Sequence, residues 1–157
     1  MEYPFSTPNR YEEALNQQVV GYLYYSLQID VTLINSIHEN QSFSFSDEAQ
    51  LVAHQDSPLP QYTESGTDRE IDWVVSDETK LVGYESKYGD SLDEGQLADE
   101  LAKLRLNADD QDIKLVTITP HITRPSTLEE FDDEPVYWLS WYEVSRQLRR
   151  TNAIDVP

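Results

Sequence analysis

The chain has no cysteine, which excludes disulfides and thiolate metal sites at once. Lysine is scarce. Only Lys80, Lys87, Lys103 and Lys114 are present, so most of the basic charge is arginine. No apolar run approaches the roughly 18 residues of a membrane span, and the polar N-terminus lacks a signal-peptide pattern. The expected setting is therefore cytoplasmic, with no membrane partner. No glycine-rich phosphate loop, HExxH pair, histidine-rich zinc spacing or nucleophile elbow occurs. What abounds is acid. Asp and Glu number 30 against 11 Lys and Arg, a formal net charge of −19 on 157 residues. That length suits one domain, 1–157, with a sizeable core.

The acids are spread through helices and loops and do not form a tail. Such a pattern fits the cytoplasm of a halophile, where an acidic surface stays soluble in concentrated salt; an acidic mesophilic protein is the bland alternative. For a DNA-directed protein the charge is awkward, because nonspecific affinity comes mainly from neutralising phosphates. Concentrated salt relieves this, since the Debye length falls to roughly 3 Å at 1 M.

The informative stretch runs from Ile71 to Lys87. Two segments rich in β-branched and aromatic residues flank Asp77–Lys80, which reads as a β-hairpin. Side chains alternate across a strand, so Leu81, Gly83, Glu85 and Lys87 share one face. If Asp77 to Lys80 form the loop, Ser76 lies opposite Leu81 and Asp72 opposite Glu85. Directly opposed residues hold their Cβ atoms roughly 4.5–5.5 Å apart, and like charges so placed destabilise a sheet. A divalent cation between two such carboxylates is the simple remedy. The competing account is a structural ion pair of Glu85 with Lys87.

Asp72 followed by Glu85-Ser86-Lys87 after a hairpin resembles the PD-(D/E)XK nuclease superfamily, whose fold is restriction-endonuclease-like. The resemblance covers motif and element order over most of the chain; Ile71 stands where that family often has proline. It implies that Asp72 and Glu85 bind a catalytic divalent metal, joined by the Ser86 carbonyl. It also implies that Lys87 orients or activates the attacking water. The first helix of the family often adds an acid, and Glu12 is the choice here over Glu13. Gln96, near the first turn of the following helix, matches a polar residue often found beside the site. With three histidines and no cysteine, magnesium or manganese is the expected metal. Nucleic acid, DNA first, is the expected partner. Two readings compete with the nuclease: an inactive nuclease-fold binding or assembly protein, and an acidic DNA mimic.

The rest of the chain supports an α/β architecture. From Arg10 to about Gln28, Leu15, Val19, Tyr22, Leu23 and Leu27 form one helical stripe with Glu12 near its centre. Asn9 with Glu12 also fits a capping box, which would be purely structural. Ile29–Ile37 either finishes this helix or turns into the sheet. Ser42–Phe45 and Gln50–His54 are the candidates for a first strand, and Gln55–Thr67 reads as a surface loop. Arg69 is a candidate phosphate contact, although an ion pair with Asp68 or Glu70 competes. A capping pattern at Ser91-Leu92-Asp93-Glu94 opens a helix whose core stripe is Leu97, Leu101 and Leu104. Ile113–Thr119 reads as a buried strand stopped by Pro120. His121 just beyond it is either a ligand or a structural histidine. Pro125–Glu134 reads as acidic loop, with a helical turn from Thr127.

Val136–Leu139 reads as a last strand, and Ser140 with Glu143 as a capping box for a helix with Val144 and Leu148 inward. Arg146, Arg149 and Arg150 at its end suit the helix dipole or a phosphate. The aromatics from Tyr137 to Tyr142 read as core or as the face of a homodimer. The predicted fold is thus a mixed central sheet flanked by helices, an αβββαβ core with an extra C-terminal strand and helix.

Overall fold

The computed structural model describes residues 31–54, 58–60, 70–87 and 92–150. The expected N-terminal helix with Glu12, and Arg69, lie outside the described residues. Among the described residues five strands form one sheet in the order β1-β2-β3-β4-β5. They are β1 Gln50–His54, β2 Trp73–Ser76, β3 Lys80–Ser86, β4 Asp112–Thr119 and β5 Val136–Ser140. β1, β2 and β3 pair antiparallel, whereas β3, β4 and β5 run parallel. Among the described residues the helices are α1 Thr32–Ile37, α2 Glu94–Asn107 and α3 Trp141–Arg150, with a 3₁₀ helix at Ser126–Phe131. The architecture is the mixed, helix-flanked sheet that the sequence implies.

Both faces of the sheet are covered, which explains why β3 and β4 read as nearly continuous apolar runs. Trp73, Val75, Val82, Tyr84, Val116 and Ile118 pack with Leu33, Ile34 and Ile37 of α1 and Val144 of α3. On the opposite face Val74, Leu81 and Leu115 pack with Leu97, Leu101 and Leu104 of α2. Trp73 and Tyr84 are cross-strand partners. Their rings stack 3.9 Å apart at 6°, an arrangement worth about 0.5–1.5 kcal/mol beyond area burial.

The hairpin register is Ser76 opposite Leu81, running to Trp73 opposite Tyr84. Asp77 fixes it. Its Oδ1 accepts from the amides of Thr79 at 2.8 Å and Lys80 at 2.9 Å, and its Oδ2 binds Lys80 Nζ at 2.9 Å. Ser46 N also donates to Oδ2 at 3.0 Å, tying the turn to the preceding loop. Burial pushes the Asp77 carboxyl up, but the Lys80 ammonium and these amides together hold it lower, at about 2.

Several local expectations need correction. Ser42–Phe45 is not a strand despite its alternation. The Asn35 amide takes the place of a ladder, donating to Phe45 O at 3.0 Å and accepting from Phe45 N at 2.7 Å. Asp93 caps α2, its side chain accepting from Gln96 N, while Ser91 of the expected pattern lies outside the described residues. The capping box at α3 is half formed. Ser140 Oγ accepts from Tyr142 N at 3.2 Å, whereas Glu143 turns forward to Arg146 at 2.7 Å and Gln147 at 3.2 Å. Arg146 and Arg150 are thereby engaged with Glu143 and Glu39. Val144 is buried as expected; the Leu148 side chain lies outside the described part.

At Gly83 the Leu104 side chain of α2 packs directly on the strand backbone. A Cβ there would lie 3.1 Å from Leu104 Cδ1 and 3.2 Å from Ile71 Cγ2. Larger side chains must push the helix away. Gly83→Val should therefore cost about 1–3 kcal/mol by overpacking, measured as a lower urea midpoint; an unchanged midpoint would show that α2 is loosely seated.

The α1 side carries a buried histidine. His38 Nδ1 donates to Gln41 Oε1, which can only accept. His38 Nε2 therefore accepts from Tyr84 OH at 2.6 Å. Burial lowers the His38 pKa from 6.5 to about 4, although the Gln41 bond works the other way. Between those two values the unfolded chain takes up a proton that the folded chain refuses. Stability is thus full above pH 6.5 and falls as pH drops toward 4, by about 3 kcal/mol in total. Replacing His38 by Gln should flatten this acid limb in urea melts from pH 7 to 4.5. Parallel limbs for the two proteins would contradict it.

Candidate active site

The parallel strands β3, β4 and β5 end together, since Ser86 pairs with Ile118 and Thr119 with Ser140. In open α/β sheets, ligands bind beyond such carboxyl ends. Asp72 lies immediately before β2, and Glu85 at the end of β3 on the face covered by α2. Asp72 Oδ2 accepts from Ser86 N at 2.8 Å and from Ser86 Oγ at 3.1 Å. Two donors from one residue thus fasten Asp72 across the hairpin. The structure gives Ser86 this anchoring contact, which the sequence did not suggest.

Glu85 is only 3% exposed. Gln96, from the first turn of α2, donates its Nε2 to Glu85 Oε1 at 2.6 Å and to Glu100 Oε1 at 3.1 Å. Lys87 Nζ stands 3.7 Å from the same Glu85 oxygen. The Lys87 backbone is held on both sides. Its amide donates to Ile118 O at 2.8 Å, and its carbonyl accepts from Trp141 Nε1 at 3.1 Å. The structure therefore brings Asp72, Glu85, Lys87 and Gln96 together.

Sequence reasoning missed Glu100, which is fully buried. The signal was available. Glu100 lies one helical turn after Gln96 and within the stripe of Leu97, Leu101 and Leu104, the argument already applied to Glu12. Burial forces the carboxyl of Glu85 well above its usual range, with the charges of Glu100 and Asp72 adding to the effect and Lys87 opposing it. Burial likewise raises Glu100 to about 7, against hydrogen bonds from Glu85 and Gln96 that hold it down.

These two acids have an acceptor surplus. Glu85 Oε2 and Glu100 Oε2 are buried without a hydrogen-bond partner. A buried polar atom left so is expensive. One proton held between the carboxyls removes the deficit, as would a cation. The donor set is all oxygen, which suits a hard divalent ion. Among the described residues no group of three or more His, Cys, Asp or Glu side chains is already arranged as a metal site. Asp72 is instead turned to Ser86, and Glu85 to Gln96 and Lys87.

No protein-family model matches the chain, and no curated protein matches it. Among solved structures the chain is similar to the MspJI restriction endonuclease in complex with a 27-mer oligonucleotide, at 16% identity and a TM-score of 0.43. The match covers 99% of this chain and 34% of that one, so the chain spans about a third of that protein's length. Among the described residues no helix is long and apolar enough to cross a membrane.

The proton-sharing pair makes a stability prediction. Glu100→Gln keeps a side chain of the same shape that can donate to Glu85, and removes one buried acid. Metal-free protein at pH 8 should gain about 1–3 kcal/mol, seen as a higher melting temperature. A lower melting temperature would show that Glu100 serves a stabilising ionic network.

Proposed function

We propose that this chain is a metal-dependent nuclease of the PD-(D/E)XK type, hydrolysing phosphodiester bonds of nucleic acid, DNA first. The observation that carries this reading is the buried Glu85–Glu100 pair, short of donors, with Asp72 and Lys87 beside it at the end of β3. Asp72, Glu85 and Glu100 would hold magnesium or manganese, with the Ser86 carbonyl and Glu12 as further proposed ligands. When bound, such an ion supplies Lewis acidity, lowering the pKa of a water and stabilising charge on the phosphate.

Each side chain then has a distinct task. The Ser86 amide and hydroxyl orient Asp72. Gln96 bridges Glu85 and Glu100, setting the spacing of the two carboxyls. Lys87 carries the positive charge that positions the attacking water or meets the negative charge developing on the phosphate. Its aim is set by the Ile118 and Trp141 bonds to its backbone. Arg69 and Gln96 are proposed substrate contacts.

The binding-module reading has one observation in its favour. Asp72 and Glu85 already find partners inside the protein, and no three-acid cluster stands ready among the described residues. The two readings separate in solution. Assayed in high salt with magnesium or manganese, the protein should nick or degrade DNA, and chelation should stop it. Concentrated salt also screens the self-repulsion of −19 charges. Lys87→Ala should keep its melting temperature and metal binding but lose about 10²–10³ in rate. Asp72→Ala should lose metal affinity as well. Metal binding that is absent in wild type, together with no cleavage, would leave the binding module.

A further inference from the structure

Beyond β4 the ring of His121 is held in one orientation. Trp138 Nε1, on β5, donates to Thr119 Oγ1 at 2.9 Å. The hydroxyl proton of Thr119, a fully buried residue, is then free for His121 Nδ1, 2.8 Å away. The His121 amide adds a longer contact to the same oxygen at 3.4 Å. With Nδ1 accepting, the neutral ring carries its proton on Nε2. His121 is exposed, so this chain of bonds presents an aimed N–H donor at the protein surface.

That donor borders a cavity of about 400 Å³, lined by Leu92, His121, Thr123, Pro125, Ser126 and Thr127. Three hydroxyls and the imidazole are its polar groups. None of the described lining residues is acidic, although Asp93 directly follows Leu92 and Glu94 lies against Glu130 of the 3₁₀ helix. The cavity stands at the carboxyl ends of the parallel strands. Leu92 leads into α2, whose Gln96 touches Glu85, and Thr119 directly follows Ile118, which accepts from the Lys87 amide.

A lining whose side chains offer neutral donors suits the oxygens of a phosphate, and the volume leaves room for an attached sugar. We propose that this cavity binds a backbone phosphate of the nucleic-acid strand, flanking the bond presented to the carboxylates, with His121 Nε2–H as the principal donor. The choice of nucleic acid rests on the nuclease reading; the affinity for a phosphate does not. Because the donors are uncharged, they release no counterions from the strand. Removing one should weaken binding without changing its salt dependence, whereas loss of a phosphate-contacting cation reduces the slope of log K against log salt by about 1.

The test uses the full chain in EDTA, titrated separately with a fluorescent oligothymidylate and with inorganic phosphate. The His121 ring protons are followed by NMR. The oligonucleotide should shift them to saturation. His121→Ala should weaken oligonucleotide binding about tenfold with the salt slope unchanged, and Thr123→Val should weaken it a few-fold. His121→Gln, which can place an N–H near the Nε2 position, should recover most of the affinity; it carries the comparison if the alanine variant melts lower. Saturation by inorganic phosphate alone would overturn the assignment to a strand. Equal oligonucleotide binding by wild type and His121→Ala, with DNA cleavage intact, would sink the subsite and leave the nuclease reading standing. Binding that depends on His121 in a protein that cleaves nothing with any divalent metal would support the subsite and sink the nuclease.

Discussion

Two carboxyl groups meet in the interior where α2 crosses the end of β3, and the surrounding structure is arranged around their surplus of acceptors. Glu85 and Glu100 are both buried, yet one oxygen of each lacks a donor. Left ionised and dry, such groups would cost several kcal/mol each. Lys87 stands off at 3.7 Å from a single oxygen of Glu85. One amide, Gln96, serves both acids. A protein that needed only stability would fill this space with apolar side chains. The two acids meet at the carboxyl end of β3, the side on which open α/β sheets commonly bind ligands.

The fold supplies this juxtaposition through contacts that are otherwise ordinary. Asp77 locks the hairpin turn and hence the register that sets Asp72 beside Glu85. The absent side chain at Gly83 lets α2 approach closely enough for Gln96 and Glu100 to reach β3. Trp141, opening α3, reaches back to the Lys87 carbonyl. Three separate elements therefore converge on one strand end. On the other side of the sheet, the stacked Trp73 and Tyr84 rings and the buried His38 bond give β3 a rigid backing.

Much of this was legible in the sequence, for reasons that differ by element. The hairpin from Ile71 to Lys87 could be read because β-branched residues and a polar turn act locally. Its register follows from taking Asp77–Lys80 as the turn, with alternation assigning the faces. The stripe of Leu97, Leu101 and Leu104 likewise announces α2. Ser42–Phe45 misled because alternation reports side-chain burial and not ladder pairing; the Asn35 side chain supplied the missing bonds. Glu100 escaped because a glutamate inside a helix reads as surface by default. Its place in the stripe of Leu97, Leu101 and Leu104 was the sign that it faces inward, whereas its meeting with Glu85 depends on contacts remote in sequence. The anchoring of Asp72 by Ser86, and of His121 by Thr119 and Trp138, could not be read at all.

The central claim is that the buried acids exist to hold a divalent ion. Crystals of the protein soaked in manganese, with anomalous data collected at the manganese edge, test it directly. The account predicts one strong peak with carboxylate oxygens of Asp72 and Glu85 about 2 Å away and Glu100 turned toward it. The Glu100–Gln96 bond would be weakened or lost as the ion takes up the unpaired oxygens. No peak at saturating manganese, with Asp72 still on Ser86 and Glu85 still on Gln96, would contradict it.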